Sequence, residues 1–224
     1  MGTIGTGIYT AREVARFAGL SPSRVVRWMS GYDFKARESV RHANSSIARE
    51  ADHGPSLTFL DLIEVLFVKS FLEHGVKMRV IREAAQRAVD LFGTHHPFAI
   101  KRFETDGRDI FARLVPKGRA TDRMINVVDG QTMFTEVISL YLKQIEYDHL
   151  GDAAKWWPLG KAEPVLIDPK VSFGTPITAA GHVPTHAIHC ALAAGDSESD
   201  VAKWFDIPIE EVRAAEKFQQ RLAA

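Results

Sequence analysis

The chain has 224 residues, an apolar fraction of 46% and a formal net charge of zero. This length allows a sizeable buried core and two or three small domains. The balanced total hides a gradient, because residues 1–50 carry 8 basic and 4 acidic side chains whereas residues 163–224 carry 5 and 9. One cysteine excludes a disulfide framework, and we find no signal peptide or membrane span. The sequence therefore predicts a cytoplasmic protein with a basic head and an acidic tail.

The first 31 residues have the pattern of a helix-turn-helix corner, in which two short helices pack across a tight turn. Thr10 and Glu13 have the spacing of a capping box, which predicts the start of the first helix. Ser21 and Pro22 are a favoured cap and a favoured first residue for the second helix, and Gly31 ends that helix. Residues 31–56 lack a sustained period, which predicts a loop or a loose wing.

The second predicted helix has the two sides that a DNA recognition helix needs. Its apolar side can be buried, while hydroxyl and guanidinium groups on the other side can reach base edges and phosphates. The alternative is an ordinary solvated helix face. The side chains that we predict to bind DNA are Ser21, Ser23, Arg24 and Arg27 on the helix and Lys35, Arg37 and Arg41 in the loop after it.

The same skeleton recurs 187 positions later, near the end of the chain. Two helices must pack closely, turn and pack again at Ala15, Gly19 and Val25 in the first corner and at Ala202, Asp206 and Val212 in the second. Phe17 and Leu20 match Trp204 and Ile207, so we expect both corners to bury the same positions. Their outward faces differ in charge, since Glu210, Glu211 and Ala214 replace Ser23, Arg24 and Arg27. Carboxylates repel phosphate, so the second corner is predicted to bind something other than DNA.

Between the corners, the apolar spacing predicts helices over 58–74 and 76–92, joined at Gly75. Asp-Gly pairs between apolar runs predict two β-hairpins, over 98–114 and 124–134. A helix over 135–150, an extended connection to residue 181 and helices near 184–194, 198–205 and 208–222 complete the pattern. We expect an α+β, mainly helical fold with a winged-helix-like DNA-binding domain (1–94), a hairpin-containing middle region (95–162) and an acidic three-helix tail (163–224) that binds a partner or oligomerises.

Two parts of the chain resemble known families. Residues 8–30 resemble the start of a MerR-type helix-turn-helix DNA-binding domain, and residues 57–64 (LTFLDLIE), 74–76 and 81–82 are similar to the helix pair that completes such domains. In the tail, residues 165–170 (VLIDPK), 174–177 (GTPI), 183–184, 193–195, 200–202 and 212–215 resemble a small domain family found in VapB-like antitoxins, which are encoded beside PIN-like ribonuclease toxins. The chain departs from that family at 180–182, where Ala180, Gly181 and His182 stand in place of Arg-Gly-Thr-Arg.

The resemblance implies an antitoxin that binds operator DNA with its head, represses its own operon and neutralises a PIN-like toxin with its tail. PIN-like nucleases hold divalent metal with clustered carboxylates, so an antitoxin can neutralise such a toxin by directing cations into that site or by covering it. Arg213, Lys217 and Arg221 recur every four residues and are candidates for this role. Alternatively, these cations pair with Glu210 and Glu216 on their own helix.

Other functions stay open. A ligand-responsive MerR-type transcription regulator without a toxin partner is the main alternative, and a tail that only oligomerises is a third. Two-fold operators favour a homodimer, for which the apolar face of the 135–150 helix can supply the interface. We find no catalytic or phosphate-binding motif and predict neither enzyme activity nor a cofactor.

The histidines near residue 186 raise the question of a metal site. Imidazole and thiolate bind zinc and copper well, but the paired cysteine spacing of such sites is missing here. We therefore expect a polar helix edge with its cysteine buried, and no metal, at His182, His186, His189 and Cys190. We also expect core packing, rather than an aromatic interface, for Trp156, Trp157 and Trp204.

Overall fold

The computed structural model describes residues 7–36, 39–43, 45, 47, 56–114, 141 and 143–223, without the side chains of 32–36, 39–43, 105, 108 and 111–114. The described chain is α+β and mainly helical, with three two-stranded sheets. No described helix is long and apolar enough to cross a membrane. The chain forms two compact units: a head unit (Tyr9–Leu142 and His149–Ala153) and a tail unit (Met1–Ile8, Lys143–Asp148 and Ala154–Ala224).

The described part of the head unit consists of helices, one hairpin and connecting loops. Thr10 and Glu13 form the predicted capping box, and helix α2 ends at Ser30, before Gly31, as predicted. The hairpin occupies part of the region predicted as a loop or wing, and its strands are antiparallel. The elements are α1 (Ala11–Ala18), α2 (Pro22–Ser30), β1 (Tyr32–Ala36), β2 (Ser39–Ala43), α3 (Phe59–Glu73), α4 (Met78–Phe92) and α5 (Phe103–Leu114).

The tail unit contains short strands followed by the three predicted helices. The helices are confirmed within a residue or two at each end. Ser197 caps one of them, because its hydroxyl accepts a hydrogen bond from Asp200 N. The elements are β3 (Ile145–Tyr147), β4 (Ala153–Trp156), β5 (Val165–Leu166), β6 (Ile177–Thr178), α6 (Thr185–Ala193), α7 (Glu198–Phe205) and α8 (Ile209–Ala223).

The prediction of a hairpin over 98–114 is wrong, because residues 103–114 form helix α5. Phe103, Gly107 and Ile110 are buried at spacings of four and three residues, which is the period of a helix. Arg102 also donates a hydrogen bond to Asp106 across one helical turn. The packing of α5 against α4 thus overrides the turn preference of Asp106-Gly107. The second predicted hairpin, over 124–134, lies outside the described residues.

The predicted helix over 135–150 is wrong at its end, where residues 145–147 form strand β3. Tryptophans hold this strand: Trp157 N donates to Gln144 O, and the Trp157 indole donates to Glu146 at 2.9 Å. Ile145 and Trp156 are buried beside them. Contacts with residues about ten positions away therefore decide the strand. Of residues 135–142 only residue 141 is described, and it is helical.

A buried glutamate anchors the loop after α4 in the head unit. Glu64 is fully buried on α3, and its Oε1 accepts hydrogen bonds from Phe98 N at 2.7 Å and Ala99 N at 3.1 Å. Among the described residues, its Oε2 has no hydrogen-bond partner. Burial raises the pKa of the Glu64 carboxyl well above its ordinary value, and the neighbouring Asp61 adds to this, against the lowering effect of the two backbone donors.

This environment predicts a pH-dependent stability. Between the ordinary pKa of glutamate, about 4.5, and the raised pKa of the folded state, the folded chain binds more protons than the unfolded chain. The free energy of unfolding therefore falls as pH rises through that window, by up to about 1.4 kcal/mol per pH unit for one group. Glu64→Gln removes this titration, so the difference in unfolding free energy, wild type minus variant, is expected to fall as pH rises.

Urea denaturation of both proteins between pH 4.5 and 8 measures this difference. The control is Glu83→Gln, which changes a half-exposed glutamate paired with Arg87 on α4. It should leave the pH profile close to that of the wild type. Parallel profiles for wild type and Glu64→Gln would show that Glu64 stays ionised in the folded chain.

The two corners share their backbone geometry. Gly19 and Asp206 both adopt left-handed conformations, with φ of 61° and 52°. Leu20 N donates to Ala15 O at 2.8 Å, and the equivalent bond from Ile207 N to Ala202 O is 3.0 Å. The predicted repeat of the helix-turn-helix skeleton is therefore confirmed for the backbone.

The side chains of the second corner differ from the prediction. Glu211 and Ala214, expected on its outward face, are only 3% and 2% exposed. Trp204 is 64% exposed, although it corresponds to the buried Phe17 and was expected in the core. Two of the three positions that correspond to the outward side of α2 are therefore buried in the tail unit, while Glu210 is exposed as predicted.

A loop from the same unit covers this side of α8. Ala180 N and Gly181 N donate hydrogen bonds to the two carboxylate oxygens of Glu211, at 2.7 and 3.2 Å. A Cβ atom on Gly181 would overlap Cγ2 of Ile207, so the loop requires glycine at this position. The segment in which the chain departs from the tail family, 180–182, thus binds a helix that the sequence predicted to be exposed.

Candidate nucleic-acid interface

Helix α2 is buried along one face and exposed to solvent along the other. Val25, Trp28 and Met29 are buried, and α2 packs against α1. After the hairpin the chain returns to α2, where Ile47 N donates to Trp28 O at 3.1 Å. The backbone bridge between Tyr9 and Leu57, with hydrogen bonds of 2.8 Å in both directions, closes the chain around the two helices.

The structure brings together the four predicted DNA-binding residues of this helix. Ser21, Ser23, Arg24 and Arg27 are all exposed. Ser21 occupies the N-cap position but its hydroxyl makes no capping bond, which corrects the prediction. Instead, the hydroxyls of Ser21 and Ser23 lie 3.2 Å apart at the start of the helix. Two hydroxyls and two guanidinium groups thus share one outward surface.

Helix α4 adds a cation that we did not predict as a DNA contact. Arg82 lines one open groove together with Ser21, Ser23, Arg24 and Arg27 of α2. The first turn of α4 has no acidic residue, and Lys77 and Arg79 near its start are exposed. This run of cations without carboxylates was a signal available in the sequence. The groove combines three guanidinium groups with hydroxyl donors, which is the chemistry that binds phosphates and base edges.

The hairpin residues are placed only in part. Lys35 lies on β1 opposite Val40, and Arg41 lies on β2 opposite Phe34. Both belong to the element that directly follows α2 in the chain. Arg37 lies outside the described residues. The hairpin is thus present where the sequence predicted a loop or wing, and the roles of these three cations stay predictions.

The three cations of the predicted toxin-binding stripe bind groups of their own unit. Arg213 donates to Glu198 at 2.8 Å, Lys217 pairs with Glu163, and Arg221 donates to the carbonyl of Pro158 at 2.7 Å. Arg213 and Lys217 keep 60% of their side-chain surface exposed. The acidic groups that bind Arg213 and Lys217 directly are distant in sequence, while Glu210, which the alternative predicted, adds a weaker electrostatic attraction to Arg213.

The residues of the predicted histidine cluster form two separate pairs in the structure. His189 lies 2.8 Å from Glu216, and the thiol of Cys190 lies 3.5 Å from His186. Cys190 is exposed, which corrects the prediction of a buried thiol. Across the described residues, no three histidine, cysteine or acidic side chains are arranged to hold a metal ion.

Comparisons with known proteins add a likeness of fold. No protein-family model matches the sequence, and no curated protein matches it. The crystal structure of Rv2018 from Mycobacterium tuberculosis is similar, with a TM-score of 0.66 and 19% sequence identity over 92% of this chain and 96% of that one. At this identity the likeness concerns the fold alone. In this chain that fold is α+β and mainly helical.

Proposed function

We propose that the chain is a DNA-binding antitoxin that binds operator DNA through α2, represses its own operon and neutralises a PIN-like ribonuclease toxin through its tail unit. The observation that carries the DNA-binding part is the groove in which Arg24, Arg27 and Arg82 lie with Ser21 and Ser23. A guanidinium group can bind guanine or phosphate through two hydrogen bonds, and short hydroxyls let a helix approach base edges.

The arrangement around α2 supports a winged-helix-like head. A recognition helix enters the major groove while its neighbours contact the DNA backbone. Here α1 packs behind α2, α4 contributes Arg82 beside it, and the β1–β2 hairpin follows it in the chain. A homodimer would place two such helices on a two-fold operator. The boundaries 1–94, 95–162 and 163–224 stay predictions.

The toxin-binding part of the proposal rests on the resemblance of the tail to antitoxin domains. It is supported by the formation of the tail as a compact unit of its own. Arg213 and Lys217 are largely exposed, so a carboxylate-rich toxin site can compete for them with Glu198 and Glu163. Exposed ion pairs contribute little to stability, so exchange of their partners costs little free energy.

Co-expression of the full chain with its genomic neighbour tests the antitoxin role. We expect the neighbour to be toxic alone, harmless in the presence of the chain, and to purify in complex with it. Arg213→Ala combined with Lys217→Ala should weaken rescue, while Lys203→Ala, an exposed lysine on α7, should not. A harmless neighbour that does not purify with the chain would overturn this role and favour a ligand-responsive regulator.

A further inference from the structure

Apart from Pro22 at the start of the helix, Val26 is the one exposed residue of α2 that is neither hydroxyl-bearing nor charged. It is 47% exposed, whereas Val25 is fully buried and packs inward. A β-branched residue lowers helix propensity relative to alanine, so Val26 does not favour α2 by its intrinsic preference. Single exposed apolar residues are common on proteins. What distinguishes Val26 is its position among polar groups.

The helical period places Val26 in the middle of the outward stripe. Residues three and four apart share one face of a helix, so Ser23, Val26, Arg27 and Ser30 form a continuous line. Serine is small, and the helix can approach another surface closely at Ser23 and Ser30. The guanidinium groups of Arg24 and Arg27 line the groove that also contains Arg82. The stripe is therefore a low, mostly polar ridge in a cationic surface with one apolar group at its centre.

Charge complementarity identifies the surface that fits this ridge. DNA carries a dense line of phosphate charge on either side of its major groove, and that groove admits a helix. Among base edges in the major groove, the C5-methyl group of thymine is the apolar feature. An isopropyl group in the centre of a ridge of serines and arginines is complementary to such a methyl group.

We infer that Val26 is a specificity-determining residue that contacts the C5-methyl group of a thymine in the bound operator. This inference rests on the proposed binding of DNA through α2 and adds to it the identity of one base. Arg24 and Arg27 bind phosphate or guanine, while Val26 favours thymine over bases that have no C5-methyl group at that position.

The test replaces thymine by uracil, which removes only the methyl group. A preferred duplex is first selected by the full chain from a random DNA library, and each thymine is then replaced singly by deoxyuridine at constant salt. For the wild type we expect at least one position at which the replacement weakens binding by about fourfold, the effect of burying one methyl-sized group. For Val26→Ala the replacement at that position should change the affinity little.

Two further variants serve as controls. Leu91→Ala removes an apolar group that is 53% exposed on α4, and it should keep the full uracil effect. Val26→Ile retains the branched apolar group and should also keep it. The comparison of wild type and Val26→Ala on thymine and uracil duplexes is a double-mutant cycle, which isolates the contact between the two groups.

The outcomes separate this inference from the proposal beneath it. A chain that binds no duplex from the library overturns the proposed DNA binding and the inference together. A chain that binds a preferred duplex but is insensitive to every uracil replacement overturns the inference alone. The same holds if Val26→Ala shows an undiminished uracil effect.

Discussion

Arg27→Ala is expected to weaken binding to the preferred duplex by about 1–3 kcal/mol, or roughly 5- to 150-fold, if Arg27 contacts a guanine through two hydrogen bonds. Arg27 is exposed near the middle of α2 and lines the cationic groove. Loss of a guanine contact should leave the slope of log affinity against log salt nearly unchanged, because that slope follows the number of phosphates that the protein neutralises. Equilibrium binding at several salt concentrations, on the preferred and on an unrelated duplex, measures both effects.

Two matched variants make this result specific. Arg27→Lys keeps the charge but loses the planar fork, so it should retain the salt slope while losing discrimination between duplexes. Arg87→Ala removes a half-exposed arginine from α4, where it pairs with Glu83, and should change neither quantity. An equal loss on both duplexes would reassign Arg27 to a phosphate contact, and no loss would place it outside the interface.

Phe67→Ala is expected to destabilise the head unit by about 3–5 kcal/mol, the cost of creating a large cavity in a packed core. Phe67 is 1% exposed and lies within 4.4–5.4 Å, between ring centroids, of Phe71, Phe98, Phe103 and Tyr141. It therefore joins α3 to the loop after α4, to α5 and to residue 141. Urea unfolding followed by circular dichroism measures the loss.

The matched control is Phe173→Ala, since Phe173 is 71% exposed. Its replacement should change stability by less than about 0.5 kcal/mol. If Phe67→Ala does not fold, Phe67→Leu, which retains most of the volume, provides a smaller and measurable loss. A loss below about 1 kcal/mol for Phe67→Ala would contradict the central role of this ring in the core.

The elements that the sequence predicted well are those fixed by neighbouring residues. The capping box of Thr10 and Glu13, the turn at Gly19 and the end of α2 at Gly31 all depend on groups within about four positions. The three tail helices were located by the same kind of signal. The sequence also indicated that the four DNA-binding candidates on α2 are exposed, because the apolar residues of this helix recur on its opposite side.

The elements that the sequence mispredicted are those decided by distant contacts. Asp106-Gly107 has the local preference of a turn, yet the burial of Phe103 and Ile110 makes the segment helical. The segment around Ile145 has a helical period, yet hydrogen bonds with Trp156 and Trp157 accompany a strand there. Arg82 joins the groove only because the fold brings part of α4 to the same groove as α2, which no local pattern of α2 contains.

The two corners show this division within one chain. The sequence by itself determined the shared skeleton, since left-handed residues at Gly19 and Asp206 and the hydrogen bonds beside them involve only adjacent turns. It could not determine which helix side stays exposed. A loop about thirty residues away covers α8, where its backbone amides bind Glu211, while α2 keeps its polar face open. Exposure depends on what packs against a face, and only the tertiary structure decides that.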